Sequence, residues 1–264
     1  MSIKNSDEKQ KNDHLKKLIK KAIKDNKKHI GKKSVKNTEG NIIDFYNVEK
    51  IYTNKFILDH VLKNITFSIK KGDFVVFLGK SGSGKTTLMN IMSGLMRATN
   101  GTTIVADTNL INLSDSELTY FRRKNIGYIF QEYGLLETLT VYENVLSGYN
   151  LNKDNADKDV INSLLNKMGL LALKNKYPME LSGGQQQRVA IARAIAKNPK
   201  IIFGDEPTGA LDSKMSEIIL SMLKQINQEK KTTIIIITHD KEIARLADTV
   251  FVVNKGKIEE MIKN

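Results

Sequence analysis

A mostly parallel α/β fold is predicted by three features of the 264-residue sequence. Continuous apolar runs recur at Phe74–Leu78, Ile201–Phe203, Ile234–Ile237 and Val250–Val253. Runs without alternation mark strands buried on both faces of a parallel sheet. Helical segments alternate with them: Thr87–Ser93 ending at Gly94, Asp157–Met168 ending at Gly169, Gln185–Lys197 stopping before Pro199, and Ser213–Glu229. That order is characteristic of a sheet covered by helices. Third, a glycine-rich loop joins the first of these strands to the first of these helices. Ile42–Tyr46 and Ile65–Ile69 add two strands that read as half-buried, from their alternation and β-branched content.

Composition narrows the class. With 40% apolar and 27% charged residues the chain has the makeup of a folded globular protein. It has no cysteine, which excludes disulfide frameworks, thiolate metal sites and thiol chemistry. No apolar run approaches the roughly 18–20 residues that cross a bilayer, and no signal-peptide core is visible, so a cytoplasmic location is expected. The net charge of +13 is uneven. Residues 1–40 hold 13 Lys against 5 acids, leaving residues 41–264 only mildly basic. Within this extension, Asp13–Ile30 places Leu15, Leu18, Ile19, Ala22 and Ile23 on one helical face. The segment reads first as a solvated, partly disordered tail. The alternative is an amphipathic helix on an anionic membrane or a partner, with nucleic acid a distant third.

The loop Gly79-Lys80-Ser81-Gly82-Ser83-Gly84-Lys85-Thr86-Thr87 fits G-x-x-x-x-G-K-[ST] between a buried strand and a helix. Its glycines allow the torsions that turn successive N–H groups toward phosphate oxygens. The helix start adds the positive end of its dipole. Lys85 supplies an ammonium, and the Thr86 hydroxyl is a ligand for Mg²⁺. A dinucleotide fingerprint is excluded because no third glycine follows Gly84. The ligand expected is a nucleoside triphosphate.

Ile201–Phe203 continues through Gly204 to Asp205 and Glu206. In a parallel sheet this strand end opens on the same edge as the loop, so Asp205 is placed to complete the Mg²⁺ shell. Glu206 is the candidate base for an attacking water. Ile234–Ile237 likewise runs into Thr238-His239-Asp240, and His239 is placed to reach the terminal phosphate.

The segment Leu181-Ser182-Gly183-Gly184-Gln185, followed by Gln186-Gln187-Arg188, gives the chain its most specific motif. With it the sequence closely resembles the ATP-binding cassette (ABC) ATPases over about residues 41–260. The resemblance implies a P-loop, RecA-like core with an antiparallel β subdomain and an inserted helical subdomain at about 132–185. It implies that Tyr52 stacks on adenine, the competing reading being a strand aromatic packed in the core. It gives Gln131 contact with Mg²⁺ and the attacking water, and Ser182 and Gly184 contact with ATP held by the opposite subunit. Asp212 matches a loop that crosses the dimer interface.

Gly183 and Gly184 open a helix, so they form a second anion site. Two half-sites on one chain then require a head-to-tail pair that sandwiches ATP. The Gly209-to-Ser213 and Tyr133-Gly134-Leu135-Leu136 stretches resemble the macrolide-export and lipoprotein-release branch. The expectation is an ATPase subunit at the inner membrane face, driving a separate permease through the surface near Gln131–Val145, with export of a lipid-linked, peptide or drug-like substrate. The alternative is the same ATPase gating a cell-envelope enzyme without transport.

Overall fold

The computed structural model describes residues 36–53, 58–150 and 158–264. Among the described residues ten strands form two sheets: β1 Asn41–Thr53, β2 Leu58–Lys70, β3 Phe74–Leu78, β4 Asn100–Val105, β5 Thr108–Asn109, β6 Ile126–Ile129, β7 Ile201–Asp205, β8 Thr233–Thr238, β9 Thr249–Asn254 and β10 Lys257–Lys263. The helices are α1 Lys85–Met92, α2 Asp115–Asn125, α3 Val141–Asn150, α4 Lys158–Lys167, α5 Gly183–Ala196, α6 Ser213–Lys230 and the short α7 Lys241–Ala244.

The six-stranded sheet has the order β10-β9-β3-β8-β7-β6 and is parallel except for β10, which pairs antiparallel with β9. The four continuous apolar runs are its central strands: β3 and β8 are buried almost throughout. The second sheet, β2-β1-β4-β5, is antiparallel. Phe45 stacks on Phe67 within that sheet, and Phe67 meets Phe77 and Phe251 of the six-stranded one, with ring centroids 4.9–5.4 Å apart. All four rings are buried, and aromatic pairs at this spacing add to the area they remove from water.

A second core covers the other face of the six-stranded sheet, where Val76, Ile202, Ile236 and Val250 meet Ile219 and Leu223 of α6, and it extends into the stretch between β6 and β7 in sequence. There α3 and α4 pack with Val189, Ile191, Ala192 and Ile195 of α5. In chain order this stretch also carries two single-turn 3₁₀ helices, Leu171–Leu173 and Pro178–Glu180.

β2 alternates as expected, with Ile65, Phe67 and Ile69 buried between exposed neighbours. β1 does not: Ile42, Ile43, Asp44 and Phe45 are all buried. The outward-facing Asp44 is covered because it accepts hydrogen bonds from Asn37, Thr38, Asn41 and Ser68, which pin the chain entering β1. Those hydrogen bonds hold the Asp44 carboxyl below its usual range against the opposing effect of burial, which is the largest single influence.

The apolar runs and glycine stops that mark the other helices do not single out α2, although Ser114-Asp115-Ser116-Glu117 is a helix-start signal. Its ends are set by Ser114 and Glu117 in a reciprocal capping box and by Arg122, Arg123 and Lys124 in its last turn. The Asp13–Ile30 amphipathic pattern and the first residue of the Asp157–Met168 segment lie outside the described residues.

Candidate nucleotide site

The site follows from strand register. Phe77, Ile237 and Asp205 lie abreast on β3, β8 and β7, and Ile129 of β6 lies beside Gly204. Four parallel strands therefore end together. The loop, His239, Asp205, Glu206 and Gln131 emerge side by side around a cleft of about 790 Å³.

The phosphate loop is anchored by Gly79 N–H to Thr238 O (3.2 Å) and by Gly256 N–H to Ser83 O (3.0 Å). An added Cβ at Gly79 would collide with the Val253 carbonyl, so this glycine is demanded by space. Gly82 and Gly84 have φ of +75° and +103°, torsions that L residues avoid. Gly84 caps α1 without any side-chain acceptor, so the first-turn N–H groups are left to a ligand. Lys85 Nζ donates to Gly79 O (2.7 Å) and Lys80 O (2.9 Å), which holds its ammonium over the crown of the loop. Burial pushes its pKa down, while Glu206 and Asp205 pull it back up. The Thr86 side is exposed to the cleft.

Opposite the loop, burial raises the Asp205 pKa and neighbouring Glu206 raises it further, with Lys85 opposing both. A partly desolvated carboxylate beside a second one, facing a free hydroxyl, is a donor set suited to a hard cation such as Mg²⁺. The buried Ser83 Oγ, which has no partner, shows that the loop leaves polar capacity unused.

Glu206 has a left-handed φ of +44°, uncommon for a residue with a side chain and typical of functional sites. Its carboxylate accepts from Thr238 Oγ1 (2.8 Å) and His239 N–H (3.1 Å) and lies 2.8 Å from His239 Nδ1. Nε2 is the His239 ring nitrogen that does not face Glu206. Thr238, fully buried, was not singled out by sequence. Its place at the end of an apolar strand, just before His239, was the available signal. Gln131 lines the same cleft, and its Nε2 would lie 3.5 Å from a Cβ built on Gly209.

The signature is elsewhere. Ser182 caps α5, with Gln185 N–H donating to its hydroxyl and Gln185 Oε1 accepting from Ser182 N–H at 2.9 Å. A Cβ on Gly183 would approach Tyr133 Oη to 2.7 Å, and one on Gly184 would approach the Met215 side chain to 2.7 Å. Asp212 caps α6 through Met215 N–H at 2.9 Å, so the Asp212 turn and the signature share one flank. None of these residues lines the cleft.

Tyr52 lies outside the cleft lining too. It is 40% exposed, its hydroxyl donates to Met96 Sδ, and the Lys50 ammonium stands 5.1 Å from the ring centre, so it is not a core aromatic.

A strand-fed phosphate loop, a strand-end Asp-Glu pair and a neighbouring His define a P-loop nucleoside triphosphatase site. The ABC transporter family profile matches residues 62–209. The chain belongs to that family as an ATP-binding cassette, a class of ATPases. It is 53% identical over 85% of its length to a protein of Mycoplasma genitalium named as an ABC transporter ATP-binding protein, and that match covers 48% of the relative. A Mycoplasma pneumoniae homologue matches at 51% over 95% of this chain and 54% of its own length. The chain thus spans about half the length of these two relatives. It is also 42% identical to the bacitracin export ATP-binding protein BceA of Halalkalibacterium halodurans, over 82% of this chain and 87% of that one. Among solved structures, the dimeric post-hydrolysis state of the ATP-binding cassette MJ0796 bound to ADP and Pi is similar with a TM-score of 0.77 and 39% identity, covering 84% of this chain and 98% of that one.

Proposed function

We propose that this chain binds ATP with Mg²⁺ and hydrolyses it in a head-to-tail pair, each site joining the phosphate loop of one copy to Ser182–Gln185 of the other. The supporting observation is the placement of two phosphate-binding features on separate flanks of one chain. The similar cassette MJ0796 is dimeric in its post-hydrolysis structure.

In this reading the loop N–H groups and Lys85 hold the phosphate tail. Glu206, oriented by Thr238 and His239, accepts a proton from water as its oxygen bonds to the terminal phosphorus and the bridging P–O bond breaks to release ADP. Thr86, Asp205 and Gln131 would hold Mg²⁺, which when bound neutralises charge on the phosphates. Loss of the terminal phosphate removes what bridges the two copies, so turnover opens them.

The stroke drives a separate membrane permease that exports a lipid-linked, peptide or drug-like substrate, a reading supported by the name of the bacitracin export relative. The permease docks beside the Gln131 loop, where a groove of about 500 Å³ exposes Phe130, stacked on Tyr128, next to Arg122, Arg193 and Lys197. Ser81 is exposed and Ser83 is buried, so cysteines at Ser81 and Ser182, in a Glu206→Gln background, are the crosslinking pair. The expected result is an ATP-dependent crosslinked dimer. A crosslink that ignores ATP, or none at all, refutes the arrangement.

A further inference from the structure

Gln187 lies in the second turn of α5 and is fully buried. Its Nε2 donates to the carbonyl of Pro207, the residue after Glu206, while its Oε1 is buried with no partner. A buried amide satisfied at one end only is an expensive way to fill space. What the bond accomplishes is therefore to be sought where it ends.

It ends on the turn that aims Glu206. That turn starts at the left-handed Glu206, whose N–H donates to Ile237 O (3.0 Å), and closes with Gly209 N–H on Glu206 O (3.0 Å). Pro207 and Thr208 within it are buried. The Gln187 amide is a polar link between the turn and α5. Two to five residues before Gln187 on the same helix lie Ser182–Gln185.

The geometry points to Gln187 as a positioning residue that fixes the Glu206 turn to the signature helix, so that a phosphate pressing on the start of α5 adjusts the carboxylate of this chain's own phosphate-loop site. The two composite sites of a pair would then sense each other through one amide. This rests on Glu206 being the residue that acts on water.

Gln187→Met keeps the side-chain length and removes the donor. The full chain carrying it is expected to fold, by circular dichroism, and to keep its KM for ATP within about twofold. Its kcat is expected to fall at least tenfold, and its ATP-bound dimer to outlive the native one. Added to Glu206→Gln, it is expected to cause no further loss of the residual turnover. A kcat within twofold of native overturns the proposal, as does a raised KM with native kcat, or equal fractional losses in both backgrounds. Should Gln187→Met not fold, Gln187→Leu, which likewise has no donor for the Pro207 carbonyl, is read in the same way. Glu206→Gln alone tests the underlying assignment: native turnover in that variant would remove the base whatever Gln187 does.

Discussion

The two helix starts of this cassette differ in how they keep their donors. α1 opens on Gly84, which offers no side chain, and the loop glycines Gly82 and Gly84 are required by backbone torsion. α5 opens on Ser182 with its own reciprocal cap, and its glycines are required by neighbours: Tyr133 over Gly183 and Met215 against Gly184. The first is an anion site complete in its local backbone. The second is already partly satisfied and is shaped by what packs on it, which suits a surface that engages a phosphate only when a second copy brings one.

The largest effect expected is on the self-contained side. Lys85→Ala should lower ATP turnover on the order of 10²–10³-fold, the usual cost of one charge-stabilising donor, with the fold intact by circular dichroism. Phosphate release is the measurement, and a milder loss would mean the backbone alone suffices.

Next come the glycines, which separate torsion from space. Gly82 has nothing within 4 Å of a Cβ, so Gly82→Ala should cost about 1–3 kcal/mol in nucleotide binding through strain alone, and no neighbouring substitution should repair it. Gly183→Ala should also impair turnover, yet Tyr133→Phe should restore much of it by removing the hydroxyl in the way. Titrations of ATP against the single and double variants decide; a rescued Gly82→Ala or an unrescued Gly183→Ala breaks the contrast.

The far end of the signature helix gives a smaller effect. Lys197, its C-cap, has its pKa pushed down to about 8, chiefly by burial and also by Arg123. The folded state therefore binds this proton less tightly than the unfolded one. Stability should rise with pH from about 8 to about 10.5, where the unfolded lysine also loses its proton. Melting curves across that range should show the rise, and Lys197→Met should flatten it. The smallest effect expected is Gly204→Ala. Its Cβ would meet Pro207 Cγ at 3.3 Å and Ile236 Cγ1 at 3.6 Å, tight but yielding, and chemical denaturation should register under about 1 kcal/mol.

Legibility from sequence follows the same division. The parallel strands β3, β7, β8 and β9 were readable because burial on both faces leaves an unbroken apolar run. The strands β4, β5 and β10 were not, since partly exposed or short edge pairing leaves a weaker pattern. Gly79–Thr87, Asp205, Glu206, Gln131 and His239 were identified, and all of them except Gly79 and Ser83 line one cleft. Tyr52 was singled out with them but stands apart under Lys50, and the residues next to it, 54–57, lie outside the described chain. The hydroxyl of Thr238 and the amide of Gln187 were missed, because a buried Thr or Gln carries no periodic signal of its partner.

The sequence by itself determined the chemistry at each helix start, because a phosphate-binding turn is made by neighbouring residues whose torsions and caps are local. Only the tertiary structure decided which of those pieces face each other. Strand register aligned four strand ends into one cleft, and packing turned the signature onto another flank beside Tyr133 and Met215. Contacts between residues far apart in the chain depend on the whole core closing at once, and no local pattern encodes them.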